Sequence, residues 1–121
     1  MDCKIREKIN QKSISLENYE LNDLAWTKED ALALIDSIIN DEIGILGGDV
    51  CKITSSHLEF LYDNWSCEID ENELKEKYYS RSKIESKKYI ENYPVNPEEG
   101  IIFSITFTDF CSSSSRQIQN D

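Results

Sequence analysis

The side chains best suited to covalent or metal chemistry are a histidine and two cysteines in the middle of the chain. His57, the sole histidine, lies between Cys51 and Cys67. If strands brought a thiol and this imidazole together, they would form a Cys–His dyad with an activated nucleophile. No family-specific nucleophile motif surrounds either cysteine, and a metal site requires further ligands at suitable spacing. We therefore interpret His57 as a loop residue and the four cysteines as small core residues, and we predict no catalytic residue, metal site or cofactor site.

The sequence GILGGDV at residues 44–50 is a second candidate, because some glycine-rich loops bind phosphate. It lacks the lysine of a GxxxxGK[ST] motif and the GxGxxG spacing, and it follows a predicted helix instead of opening one. We interpret Gly47 and Gly48 as a structural turn. This turn is predicted to feed two strands, over residues 49–54 and 58–69.

Charge is the most informative property of the chain. It contains 24 acidic and 13 basic residues, a formal net charge of −11. This excess repels nucleic acid and anionic membranes and favours a basic partner. Carboxylate pairs such as Asp63 with Glu68 are expected from this composition, and a glycosidase-type pair would also need a cleft and a raised pKa.

Acids and aromatic residues occur together in residues 59–76. This block holds seven acids and one lysine, with aromatic side chains at Phe60, Tyr62 and Trp65. Aromatic residues ringed by charge are typical of interface anchors, although they equally suit core packing. An acidic run is also what an ordinary solvated face looks like. The candidate partner-binding residues are Asp63, Trp65, Glu68, Asp70, Glu71 and Glu73.

The elements that must position these residues can be predicted from periodicity and capping signals. Thr27 and Asp30 form a capping pattern that opens a helix over 28–41. Apolar residues of strand 58–69 change from even to odd positions, which predicts a β-bulge near Asp63 and Asn64. The alternatives are two separate strands or one strand buried on both faces. Asp70 and Glu73 resemble a second capping pair, and residues 79–81 are expected to interrupt the helix that follows. A helix over 83–92 ends before Pro94.

The remaining segments complete an α+β fold. Residues 3–11 suit a short helix or a strand, and residues 15–26 read as a polar connection. Residues 101–110 read as the clearest strand, with apolar residues at 101, 103, 105 and 107 on one face and polar residues at 104, 106 and 108 on the other. We predict an antiparallel sheet of at least three strands with helices packed on one face. Residues 1–111 are predicted to form a single domain and residues 112–121 a disordered polar tail. No signal peptide or membrane span is apparent, so we expect a cytoplasmic protein.

Four segments, in their order and spacing, carry a family resemblance. They are LAWTKEDA at 24–31, ILGGDV at 45–50, YDNW at 62–65 and YIENY at 89–93. Over about residues 24–110 the chain resembles an immunity-protein family of bacterial polymorphic toxin systems, the one numbered forty. The resemblance implies a small α+β protein that binds and neutralises a cognate toxin domain and is not an enzyme. It transfers no contact residues.

The leading hypothesis is therefore an immunity protein whose acidic surface covers a toxin with a basic active-site region. Carboxylates would occupy the places of substrate phosphates and accelerate association. Two alternatives stay open: a general acidic adaptor module, and a small enzyme that uses His57.

Overall fold

The computed structural model describes residues 3–16, 24–54 and 57–108. The helices there are α1 (Cys3–Asn10), α2 (Lys28–Ser37), α3 (Lys75–Asn92) and a short 3₁₀ helix (Pro97–Glu99). The strands are β1 (Ile14–Ser15), β2 (Leu24–Thr27), β3 (Ile45–Ile53), β4 (Leu58–Ser66) and β5 (Ile101–Phe107). They form one antiparallel sheet in the order β1-β2-β5-β3-β4. The predicted α+β class is confirmed.

The main core lies between the helices and one face of the sheet. Trp26, Ile35 and Phe103 are buried there, and the edge of the Trp26 ring meets Phe107 at a centroid distance of 6.1 Å. The alternation of β5 explains this face, since Ile101, Phe103, Ile105 and Phe107 all belong to the core. A second, smaller cluster lies on the opposite face and consists of Leu16, Ala25, Cys51 and Ile102.

Helix α2 begins where the sequence predicts and ends earlier. The Thr27 hydroxyl accepts a hydrogen bond from the Asp30 amide at 3.2 Å, as expected of an N-cap. The helix ends at Ser37 instead of residue 41. The buried ammonium of Lys83 donates to the carbonyls of Ile38 and Asp41, at 2.9 and 2.6 Å. A cation from another helix thus satisfies the carbonyls at this end, which local sequence could not reveal.

The predicted glycine turn is wrong, because Gly47 and Gly48 lie inside β3. The register between β3 and β5 shifts between Ile45 and Gly47, and Gly47 has φ 149°. This bulge lets Ile45 and Val50 both point into the helix-side core, although they are five residues apart. Gly47 and Gly48 therefore shape the interior of β3 and do not form a turn before it.

The predicted bulge in β4 is confirmed, but its explanation was wrong. Asp49 pairs with Asn64 and Cys51 pairs with Phe60, so three residues of β4 lie opposite one of β3. We expected the bulge to turn both apolar sets of β4 to one face. Instead Phe60 shares the face of Cys51, away from the helices, whereas Trp65 packs against the helix-side core.

Three further predictions are decided by the structure. The first segment is helical, as α1, and not a strand. Residues 24–26, predicted to be connection, belong to β2. The interruption expected at residues 79–81 is absent, since α3 runs unbroken with Tyr78, Ser82, Ser86 and Ile90 buried along one side. The end of the strand predicted over 101–110 and the tail at 112–121 lie outside the described residues.

Candidate partner-binding surface

Four of the six predicted partner-binding residues lie in the segment between β4 and α3, which we call the acidic loop (residues 67–74). Glu68, Asp70 and Glu71 are exposed. Two apolar side chains are also exposed, Ile69 at 49% and Leu74 at 61%. The loop therefore presents carboxylates and apolar groups together, a combination that suits contact with another protein.

Arg81 of α3 fixes the shape of the acidic loop. Its Nε and Nη2 atoms donate to the two carboxylate oxygens of Glu73 at 2.8 and 2.9 Å. The same Nη2 donates to the Glu68 carbonyl at 2.7 Å, and Nη1 donates to Glu85 at 3.2 Å. A guanidinium holds its donors in a rigid plane that matches a carboxylate in two-point contact. One side chain thus ties both ends of the loop to the helix.

Glu73 has a structural task that the sequence did not reveal. Its side chain is 12% exposed, and it accepts from the Asp70 amide at 2.9 Å as well as from Arg81. The Arg81 hydrogen bonds, followed by the one from Asp70, lower the pKa of Glu73 from 4.5 to about 2. The Asp70–Glu73 pair was predicted to resemble a helix cap. Since α3 begins only at Lys75, the pair instead closes a turn within the loop. Of the predicted residues in the loop, Glu73 is therefore the least available to a partner.

The start of the loop is anchored to the core. Tyr78 donates its hydroxyl to the Cys67 carbonyl at 2.6 Å. The Cys67 side chain is buried, and its sulfur lies 3.9 Å from the Ser86 hydroxyl. Burial raises the pKa of this thiol, which keeps it protonated. Cys67 is thus a core residue, as predicted.

Trp65 is built into the fold and is mostly buried. Its indole stacks on Tyr89 with ring centroids 4.8 Å apart, and Nε1 donates to the Ser86 hydroxyl at 2.9 Å. A Cβ added to Gly48 would clash with the Cη2 and Cζ2 atoms of the indole, so this glycine makes room for the ring. Trp65 was predicted as a partner-binding residue, and the structure places it beneath α3.

Asp63 lies on β4, apart from the loop. It is exposed and accepts a 2.6 Å hydrogen bond from the Tyr93 hydroxyl at the end of α3. This bond is the main reason that the pKa of Tyr93 rises to about 12. The predicted site residues therefore divide into two groups. Exposed carboxylates stand at Asp63, Glu68, Asp70 and Glu71, whereas Trp65 and Glu73 are engaged in the fold.

The structure does not assemble the Cys–His dyad. His57 is exposed in the β3–β4 connection, and its carbonyl accepts from the Thr54 amide. Cys67 lies beyond the other end of the nine-residue strand β4. Cys51 is buried. In residues 3–16, 24–54 and 57–108, no three His, Cys, Asp or Glu side chains are grouped to hold a metal ion.

An apolar groove lies at the other end of the sheet. It has a volume of about 750 Å³ and is lined mainly by aliphatic side chains, including Leu32, Val95 and Ile102. Lys28 also lines it, but its ammonium donates to the carbonyls of Glu91 and Tyr93, both at 2.9 Å. The groove offers a reacting molecule little polar chemistry.

The sequence reading missed Arg81 as the organiser of the loop. Its pairing with Glu85 was predictable, since residues four apart meet on a helix. Its bonds to Glu73 and Glu68 span 8 and 13 positions and depend on how the loop folds back. No local pattern identifies such contacts.

The protein that has this fold and this exposed acidic loop is of the immunity class. The chain belongs to the family described as Immunity protein 40, whose model matches residues 15–107. Membership indicates an immunity function and implies a toxin as partner. No curated protein and no solved structure shows significant similarity to the chain. Within the described ranges, no helix is sufficiently long and apolar to span a bilayer.

Proposed function

We propose that this protein neutralises a cognate bacterial toxin by binding it with the acidic loop, and that it catalyses no reaction. Family membership is the observation that carries the proposal, because it implies a toxin partner. The excess of acidic residues supports the choice of surface. With a formal net charge of −11, the chain attracts a basic protein over long range and accelerates its association.

The acidic loop is the part of the surface best prepared for this contact. Its backbone is held by Arg81 and Tyr78, so little loop entropy is lost when a partner binds. Its carboxylates at Glu68, Asp70 and Glu71 stand in solvent, where they can meet arginine and lysine side chains. A toxin that acts on nucleic acid would present such cations in its active site.

Cytoplasmic action is part of the proposal. Cys67 is a buried thiol rather than half of a disulfide, which suits a reducing compartment. Asp63 extends the acidic surface along β4 and remains within the proposed contact area. Trp65 and Glu73 are proposed to act indirectly, by keeping β4 and the loop in place.

The proposal is tested with the toxin domain encoded beside this protein in the genome. Binding kinetics are measured for the protein and for the double variant Asp70→Lys/Glu71→Lys. The matched control is Glu98→Lys/Glu99→Lys, which changes two exposed acids at the opposite end of the sheet. Each reversal adds two charge units, so both variants move the net charge from −11 to −7.

We expect the loop variant to bind at least about tenfold more slowly, with a weaker dependence on salt, and the control to bind much faster than the loop variant. Equal losses in both variants would show that only net charge matters, and the loop would not be the contact. If the protein binds no neighbouring toxin domain at micromolar concentration, the toxin proposal fails. A tight complex with an unrelated protein would then favour the adaptor alternative.

A further inference from the structure

Tyr62 is held in a backbone conformation that tyrosine disfavours. It lies in the bulge of β4 with φ 64°, in the left-handed region. A bulky side chain at positive φ is an outlier, since Cβ crowds the backbone there. Glycine or asparagine would adopt the same conformation at lower cost.

Packing of the Tyr62 ring does not offset this backbone strain. Tyr62 is 90% exposed, the highest value among the exposed large hydrophobic residues of the described chain. Trp65, three residues later, is stacked and hydrogen-bonded, so the two aromatic residues have opposite surroundings. A strained, exposed aromatic residue contributes little to folding, and such outliers are concentrated at binding and active sites.

The position of Tyr62 favours contact with another molecule. Among the strands that the structure describes, β4 lies at the edge of the sheet and pairs with β3 alone. Tyr62 lies in the bulge of this edge strand with its ring in solvent, and Phe60, 44% exposed, adds apolar surface two residues earlier on the strand. Two exposed acids stand on either side of Tyr62 in the sequence of β4, Glu59 and Asp63, and Asp63 also accepts a hydrogen bond from Tyr93. An aromatic group between carboxylates is complementary to a cationic pocket, because both the ring face and the carboxylates attract guanidinium and ammonium groups.

We propose that Tyr62 is the central anchor of the complex and inserts into an arginine- or lysine-lined pocket of the toxin domain. This inference rests on the proposed function and identifies the residue that dominates binding. The ring supplies buried area and a cation–π contact at the centre, while the carboxylates of β4 and the acidic loop form the polar rim. The bulge serves to aim the ring outwards.

The test compares Tyr62→Gly with Tyr62→Phe and with Ile84→Ala. Glycine removes the ring and relieves the strain, whereas phenylalanine keeps the aromatic face. Ile84, 54% exposed on α3, is the control for loss of an exposed apolar side chain. Affinity for the neighbouring toxin domain, melting temperature and molar mass in solution are measured for each protein.

We expect Tyr62→Gly to lose at least about tenfold in affinity, as truncated hot-spot residues do, with an unchanged or raised melting temperature. Tyr62→Phe and Ile84→Ala should bind within about threefold of the parent protein, a small change for residues outside a hot spot. If the parent protein binds the toxin domain and Tyr62→Gly binds equally well, the anchor role is wrong and the proposed function stands.

Other results would also overturn the inference. A marked fall in the melting temperature of Tyr62→Gly would make the residue a folding determinant. A parent dimer that Tyr62→Gly converts to a monomer, with toxin affinity retained, would show that the ring contacts a second copy of this chain. No binding by the parent protein would remove this inference together with the toxin proposal.

Discussion

Replacing Trp65 should damage the fold before it affects recognition. Aromatic side chains bury about 150–250 Å² when enclosed, so truncation of this mostly buried indole to Cβ removes at least roughly 100 Å² of contact. At about 25 cal/mol per Å² this is roughly 2.5 kcal/mol. The hydrogen bond to Ser86 adds about 1 kcal/mol. Trp65→Ala should therefore lower the free energy of unfolding by about 3–4 kcal/mol, within the range for large aromatic truncations.

Urea unfolding followed by circular dichroism measures this loss, and a thermal melt should show a drop of roughly 10–20 °C for a domain of this size. Trp65→Phe keeps most of the stacking on Tyr89 and should lose only about 1–2 kcal/mol, from the indole N–H bond and the smaller ring. Ile84→Ala is the control, because substitutions of exposed residues away from strained backbone change stability by about 0.5 kcal/mol or less. A loss below about 1 kcal/mol for Trp65→Ala, combined with lost toxin binding, would refute the structural role assigned here.

Two further predictions concern the loop and the sheet. The lowered pKa of Glu73 stabilises the folded state above its ordinary value of 4.5, and this contribution disappears as the pH falls towards 2. Glu73→Gln should therefore melt at a lower temperature than the parent at neutral pH and at nearly the same temperature near pH 2. The control Glu71→Gln should match the parent at both pH values. A difference in melting temperature between Glu73→Gln and the parent that persists near pH 2 would contradict this prediction. Gly48→Ala places a Cβ against the Ser104 carbonyl and the Trp65 ring, and should lower the free energy of unfolding in urea by about 1–3 kcal/mol. Ser66→Ala, exposed on β4, should have little effect, and equal stabilities for the two variants would show that the sheet accommodates a side chain beside Trp65.

Local signals in the sequence predicted the parts of the fold that depend on neighbouring residues. Thr27 caps α2 because the Asp30 amide is three residues away. β5 was predictable from the apolar residues at every second position, which place Phe103 in the core. The end of α2 was not, because its carbonyls are satisfied by Lys83, more than 40 positions later.

The glycines and aromatic residues show a second limit of sequence reasoning. Glycine permits a turn, a bulge or close packing equally well, and only the neighbouring strands decide that Gly47 forms a bulge and Gly48 faces Trp65. In the same way, composition identified an acidic and aromatic block but did not separate its members. Trp65 proved to be packed and Tyr62 exposed, because Tyr62 lies in a bulge that only strand pairing determines, whereas Trp65 lies beyond it.

The negative charge of the candidate surface was predictable from the sequence, but the hydrogen bonds that hold the acidic loop were not. Glu68, Asp70 and Glu71 are exposed, as a run of acids leads one to expect. That Glu73 is committed to Arg81 follows from a fold-back of the loop, which no residue spacing encodes. Whether these carboxylates contact a toxin remains a prediction.

The central claim is that this protein neutralises its toxin by occupying it and without catalysis. The most direct measurement is a titration of toxin activity at a toxin concentration far above the dissociation constant. We predict a linear fall that ends at a fixed whole-number ratio of the two proteins, independent of incubation time and unchanged by His57→Ala. Inactivation of many toxin molecules by one molecule of this protein, increasing with time, would contradict the claim and identify an enzyme.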